Sequence, residues 1–102
     1  MEDPSTRLLL STASTWEIAI KHAQGRLALP APPDRYIPEL LRRSGIATLP
    51  IELDHSLRTG GLPRHHADPF DRMIVAQAQC LGIPVVSADR QLARYDVDVI
   101  VD

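Results

Sequence analysis

Short apolar segments alternate with helical segments along almost the whole chain. Apolar strands are predicted over residues 7–12, 46–51, 83–87 and 97–101. Helices are predicted over 14–24, 34–44, 53–59 and from Asp68 to Gly82, with one or two helical turns over 90–95. Strands that alternate with helices favour an α/β fold with a parallel sheet. The short, continuously apolar strands agree with this, because helices cover both faces of a parallel sheet.

The 102 residues, of which 44% are hydrophobic, predict a single domain over 1–102 with an aliphatic core. The net charge of −2 indicates that any nucleic acid would bind at a local patch rather than through the charge of the whole molecule. No apolar run approaches the roughly 18 residues of a membrane span, so we expect no membrane partner. One cysteine, Cys80, favours a reducing compartment, and therefore the cytoplasm.

Two helix starts carry capping signals. Asp68 precedes Pro69, which combines a capping carboxylate with proline at the first helical position. Ser14 and Glu17 have the spacing of a capping box. The helix after Asp68 is expected to bury one face, formed by Phe70, Ile74, Ala78 and Leu81.

Three carboxylates lie close to the predicted carboxyl ends of strands: Glu17, Asp71 and Asp89. Ligands of open α/β sheets bind beyond those ends, so a single parallel sheet would bring the three side chains together. Oxygen ligands from separate elements suit a hard divalent cation such as Mg²⁺.

Each carboxylate also has a structural explanation. Glu17 could close the capping box that Ser14 opens, and Asp71 could be a first-turn acid that the helix dipole favours. Asp89 could form a turn or cap the short helix after it. The sequence leaves both interpretations open for all three residues.

Other polar and aromatic residues are interpreted as structural. His65 and His66 are expected to be loop residues, because adjacent histidines rarely share one metal ion. Cys80 is expected to belong to the core rather than to act as a nucleophile. Trp16 is expected in the core rather than as a platform on which a base stacks.

Three blocks, residues 14–21, 65–78 and 86–89, resemble the PIN-domain family, and within it the VapC-like toxins of bacterial type II toxin–antitoxin modules. The blocks occur in the family's order, and the 18-residue step from Asp71 to Asp89 also matches. The resemblance runs through nearly all of the chain. It implies a three-layer α/β/α fold with a parallel sheet.

The resemblance further implies a Mg²⁺- or Mn²⁺-dependent endoribonuclease, usually dimeric, that a cognate antitoxin holds inactive. Glu17, Asp71 and Asp89 match the family acids that hold the metal and orient the water that attacks an RNA phosphate, with Asp68 a weaker candidate. Three arginines near these acids could hold RNA phosphates or pair with helix caps: Arg64, Arg72 and Arg90.

The chain departs from the family pattern at its beginning. PIN domains normally open with a strand that ends in Asp and then one or two helices, whereas this chain resembles the family only from the second strand onward. The first metal ligand therefore has no counterpart, and an apolar sheet edge is expected to be left for another chain to pair with. Two alternatives stay open beside an active nuclease: a non-catalytic binding module, and a truncated product of a full-length PIN nuclease.

Overall fold

The computed structural model describes residues 8–87 and 89–101, apart from the side chains of Arg90 and Val101. The chain forms two compact units, one up to residue 50 and one from residue 51. The first contains β1 (Leu9–Ser11), α1 (Thr12–Ala23), α2 (Pro33–Ser44) and β2 (Ala47–Leu49). The second contains α3 (Leu53–Thr59), α4 (Pro69–Leu81), β3 (Val85–Ser87), a 3₁₀ helix (Arg90–Arg94) and β4 (Val99–Val101). This is the predicted order of strands and helices.

In the first unit, β1 and β2 pair in parallel, with Leu9 opposite Ala47 and Ser11 opposite Leu49. The backbone N–H of Ala47 also donates to the carbonyl oxygen of Leu8 across 3.3 Å. Parallel strands require a long crossover connection, which α1 and α2 supply.

In the second unit, β3 and β4 also pair in parallel, with Val85 opposite Val99. Parallel pairing is thus confirmed in both units, and the chain has the α/β architecture expected of it. The described strands form one two-stranded sheet in each unit. The convergence of Glu17 with the other two acids at one sheet edge stays a prediction.

The core of the second unit lies between α4, β3 and the segment after β3. Its buried members are mostly aliphatic: Leu62, Val75, Ala76, Ala78, Val85, Leu92 and Tyr95. The predicted apolar face of α4 is wrong in part, because Leu81 is 47% exposed while four consecutive residues, 75–78, are buried. Four consecutive residues point to all sides of a helix. They are buried because α4 packs against both α3 and β3.

The start of α4 follows the predicted capping chemistry. Oδ1 of Asp68 accepts the backbone N–H of Phe70 at 2.8 Å and that of Asp71 at 3.4 Å, and Pro69 is the first helical residue. Gly82 ends the helix at a φ of +66°, a left-handed conformation that glycine adopts without a Cβ clash. Both predicted ends of the helix are confirmed.

The predicted start of α1 is wrong by one turn. The helix begins at Thr12, and its cap is Ser11, whose hydroxyl accepts the backbone N–H of Ala13 at 3.0 Å. Ser14 therefore lies inside the helix, and Glu17 lies beyond the first turn. The capping-box explanation of Glu17 is overturned.

One further expectation concerns the exposure of an aromatic residue. Trp16 is 60% exposed, so its assignment to the core is wrong. None of the helices in the described part of the chain is long and apolar enough to cross a membrane.

Candidate metal centre

The cap of α4 positions Asp71 in the first turn of the helix. Asp68 holds the first backbone N–H groups, including that of Asp71 itself, and so fixes the direction from which the Asp71 side chain leaves the helix. The Asp71 side chain is about one-third exposed. Asp71 belongs to the second unit and lies at a helix N-terminus, where the helix dipole stabilises a negative charge.

Asp89 is positioned by the turn after β3. Its backbone N–H donates to the hydroxyl of Ser87 at 3.0 Å, and its Oδ1 accepts the backbone N–H of Gln91 at 2.9 Å. Asp89 is therefore the cap of the 3₁₀ helix, as one of its two interpretations predicted, and its part in a metal site stays a prediction. The cap uses Oδ1 and leaves Oδ2 directed elsewhere.

His66 joins the two aspartates. Its Nε2 lies 2.9 Å from Oδ2 of Asp89 and 3.5 Å from Oδ2 of Asp71. The other ring nitrogen, Nδ1, accepts the backbone N–H of Asp68 at 3.1 Å. Since an accepting Nδ1 carries no proton, the proton of the neutral ring is on Nε2, which donates to Asp89.

Two hydrogen bonds lower the pKa of the Asp89 carboxyl below its ordinary value. The larger effect comes from the backbone N–H of Gln91, and the second comes from the side chain of His66. Both bonds favour the charged form of the carboxyl. Asp89 is therefore a carboxylate at neutral pH.

The donor set of this cluster fits a hard divalent cation. One ligand atom each from His66, Asp71 and Asp89 lie within 4.8 Å of one another. Carboxylate oxygens are the ligands that Mg²⁺ and Mn²⁺ prefer. The protonated Nε2 makes His66 a hydrogen-bond donor in this cluster, so the candidate ligands are the two aspartates.

Glu17 lies in the first unit, on α1. Its Oε2 forms an ion pair with Nζ of Lys21 at 2.8 Å, one turn further along the helix. Pairs at this spacing are common on helix surfaces. The geometry therefore places Asp71 and Asp89 together, and the participation of Glu17 stays a prediction.

Of the three candidate arginines, the structure describes the side chains of Arg64 and Arg72. Arg64 is exposed in the loop before α4. Both terminal nitrogens of Arg72 are engaged: one donates to the carbonyl of Pro63 and to the hydroxyl of Tyr95, the other to the carbonyls of Thr59 and Leu62. Arg72 thus braces the loop, and its contact with an RNA phosphate stays a prediction. The side chain of Arg90 lies outside the described residues.

A second cluster, Asp54, His55 and Cys80, has the composition of a softer metal site. His55 is buried, and its Nδ1 accepts the backbone N–H of Glu52 at 3.0 Å, so Nε2 carries the proton and faces Asp54. A protonated Nε2 has no lone pair for a metal ion. The half-buried Cys80 lies 4.0 Å from the Asp54 carbonyl oxygen. We therefore interpret His55 as a capping residue at the start of α3.

Comparison with known proteins assigns the chain to a family. Residues 1–98 match the PIN domain. The chain belongs to the PIN-domain family. It is also 43% identical, over 56 residues, to Ribonuclease VapC16 of Mycobacterium tuberculosis (strain ATCC 25618 / H37Rv). The aligned segment covers 55% of this chain and 38% of that ribonuclease, so this PIN-domain chain matches well under half of the relative's length.

His66 is the residue of this PIN domain that the sequence interpretation missed. It does lie in a loop, as expected, but its ring contacts two of the three candidate acids. One feature of the sequence could have indicated that His66 lies near the site: it is only two residues before Asp68, which caps the helix of Asp71. Its contact with Asp89 joins positions 23 residues apart, which only the tertiary structure reveals.

Proposed function

We propose that this PIN domain is a metal-dependent endoribonuclease of the VapC type that hydrolyses RNA phosphodiesters in the cytoplasm. The observation that carries the proposal is the meeting of Asp71 and Asp89, from two separate elements, in a chain of the PIN-domain family. Glu17 is proposed as the third acid of the site. The similarity to a protein named as a ribonuclease supports the choice of substrate.

The proposed chemistry depends on the charges of the site. When bound, a Mg²⁺ or Mn²⁺ ion supplies positive charge to the phosphate and lowers the pKa of a coordinated water. Asp71 and Asp89 provide the oxygen ligands, and the hydrogen bonds to Asp89 keep that carboxyl ionised. The cap of α4 and the turn after β3 hold the two carboxylates in place before RNA binds. Such preorganisation is a large part of enzymatic rate enhancement.

RNA binding is proposed to use local positive charge, because the chain as a whole carries a net charge of −2. Arg64 is exposed in the loop that also contains His66, and we propose that it contacts a phosphate. We propose the same role for Arg90 because of its position in the sequence alone, directly after Asp89.

Protein binding is the second candidate function, either beside catalysis or in its place. Leu53 and Leu57 lie one turn apart on α3 and are 74% and 68% exposed. Neighbouring exposed apolar side chains are typical of surfaces that contact another protein. The resemblance to VapC toxins implies two protein partners, a second copy of the chain and a cognate antitoxin. For this leucine pair we propose contact with a second copy of the chain.

The experiment that tests the proposed nuclease is cleavage of a mixed RNA by the purified chain, with Mg²⁺ or Mn²⁺ and with EDTA. The Asp71→Asn variant is assayed beside it. Asp34→Asn is the matched control, because Asp34 is also a first-turn acid of a helix. We expect metal-dependent cleavage that Asp71→Asn abolishes and Asp34→Asn retains. A folded chain that does not cleave RNA would overturn the proposal and favour the protein-binding function.

A further inference from the structure

We propose that His66 is a positioning residue, which orients the carboxylate of Asp89 beside that of Asp71 through its Nε2–H. The inference rests on the proposed metal centre and adds to it a residue that acts through a proposed ligand, Asp89, by a hydrogen bond. It depends on the hydrogen bonds of both ring nitrogens and on the way the loop before α4 is held.

The two ring nitrogens of His66 have different roles. Nδ1 accepts the backbone N–H of Asp68 at 3.1 Å, which keeps the ring in the Nε2–H form. Nε2 then donates to Oδ2 of Asp89 at 2.9 Å, with Oδ2 of Asp71 at 3.5 Å. One N–H group therefore faces the two carboxylates that the proposed site needs in fixed orientations.

The backbone of His66 is held by a buried partner. Its N–H donates to the hydroxyl of Tyr95 at 3.0 Å, and Tyr95 is only 4% exposed. The same hydroxyl accepts a hydrogen bond from Arg72, which also holds the carbonyl of Pro63. The loop is thus held at His66 itself and at Pro63, three residues before it.

These bonds fix the rotation of the Asp89 carboxylate. Gln91 donates to Oδ1 and His66 donates to Oδ2, so both oxygens have a protein partner. Each carboxylate oxygen can accept more than one bond, which leaves capacity for a cation. Groups that donate to metal-ligating carboxylates commonly change metal affinity by about 10- to 100-fold when they are removed.

Two variants separate positioning of Asp89 from simple support of the loop. In His66→Gln, the amide N–H₂ reaches about as far as Nε2 and can still donate to Asp89. In His66→Asn, the shorter amide can still accept the N–H of Asp68 but cannot reach Asp89. Mn²⁺ affinity is measured by calorimetry on the full chain for both variants and for the wild type.

Positioning predicts that Mn²⁺ affinity falls by about 10- to 100-fold in His66→Asn and stays within about threefold of wild type in His66→Gln. Equal affinity in wild type and His66→Asn, or loss in His66→Gln alone, would overturn the inference. Circular dichroism of both variants shows whether they keep the fold.

A second readout needs no metal and separates this inference from the proposed function. Imidazole ¹⁵N chemical shifts of the metal-free chain should show the Nε2–H tautomer of His66. The Asp89 carboxyl-carbon shift should change in His66→Asn and stay near wild type in His66→Gln. The opposite tautomer, or equal Asp89 shifts in all three proteins, would overturn the inference. A wild type that binds no Mn²⁺ but shows these signatures would overturn the metal centre and leave the orientation of Asp89 by His66 supported.

Discussion

Nε2 of His66 lies 2.9 Å from Oδ2 of Asp89, although the two residues are 23 positions apart in the sequence. The contact joins the loop before α4 to the turn after β3. Because the histidine donates to a carboxylate that also caps the 3₁₀ helix, one aspartate connects the local fold of its unit with the proposed chemistry.

The first prediction concerns the ionisation of Asp89 in the metal-free chain. The carboxyl should titrate below its ordinary pKa of 3.8, because the backbone of Gln91 and then the ring of His66 favour its charged form. In His66→Phe the pKa should rise but stay below 3.8, since the Gln91 bond is retained. Carboxyl-carbon NMR shifts followed through a pH titration measure both values.

The lowered pKa also sets the sign of the effect on stability. The charged Asp89 stabilises the fold at pH values above its unfolded pKa, and this contribution is lost as the pH falls through the lower, folded pKa.

His65→Phe is the control for the Asp89 titration, because His65 contacts the ring of Tyr95 instead of Asp89. An unchanged Asp89 pKa in His66→Phe would contradict the prediction.

The second prediction concerns cation binding. Asp89→Asn should weaken Mn²⁺ binding by at least about 100-fold, more than loss of a residue that only supports a ligand. The fold should be retained, because asparagine is as good a helix cap as aspartate. Calorimetric titration tests this, with Asp96→Asn as the control, an exposed acid outside the cluster. Equal Mn²⁺ affinity in Asp89→Asn and wild type would remove Asp89 from the site.

The third prediction concerns the cap of α4. Asp68→Ala removes the acceptor of the Phe70 and Asp71 N–H groups and should lower the free energy of unfolding by about 1 kcal/mol. Urea unfolding measures the change. Asp68→Asn restores a capping oxygen and should recover most of the loss. A stability in Asp68→Ala equal to that of wild type would show that the cap does not stabilise α4.

The fourth prediction concerns Arg72. Its hydrogen bonds to three carbonyl oxygens and to Tyr95 brace the loop that contains His66. Arg72→Met should lower the free energy of unfolding by about 2 kcal/mol, the scale of hydrogen bonds from charged groups. Arg64→Met, at an exposed position, should change it by less than about 0.5 kcal/mol. If thermal or urea unfolding shows equal effects, Arg72 has no bracing role.

The fifth prediction concerns the leucine pair of α3. Leu57→Ser should weaken self-association by about tenfold or more, since burying a leucine contributes about 1.5–3 kcal/mol. Light scattering over a range of concentrations measures the mass of the species. Ser56→Ala, on the same helix, should leave the mass unchanged. A wild-type chain that stays monomeric at high concentration would exclude the leucine pair as a self-association surface.

Much of the fold could be predicted because its signals are local. The segment Leu53–Thr59 and the Asp68–Pro69 start of α4 were predicted at the observed positions. Capping groups, proline and glycine act on backbone atoms a few residues away, so adjacent residues suffice to recognise them. Apolar strands separated by helices likewise predicted parallel pairing in both units.

Where two local signals were equally suitable, the sequence did not show which of them the fold uses. Ser11 and Ser14 are both suitable caps, and the structure uses Ser11 because α1 begins directly where β1 ends. The predicted apolar face of α4 failed for a related reason. Periodicity describes a helix covered on one side, whereas α3 and β3 both cover α4.

By itself, the sequence determined the order of elements and the ends of α4, because capping and periodicity act within one segment. It also determined the family, because the order and spacing of motifs can be read along the chain without knowing how it folds. Only the tertiary structure decided that Arg72 braces a loop and that His66 donates to Asp89. These two roles depend on hydrogen bonds whose partners lie in other elements, including Tyr95 and Asp89 more than twenty residues away. Such bonds form only when packing brings those elements together.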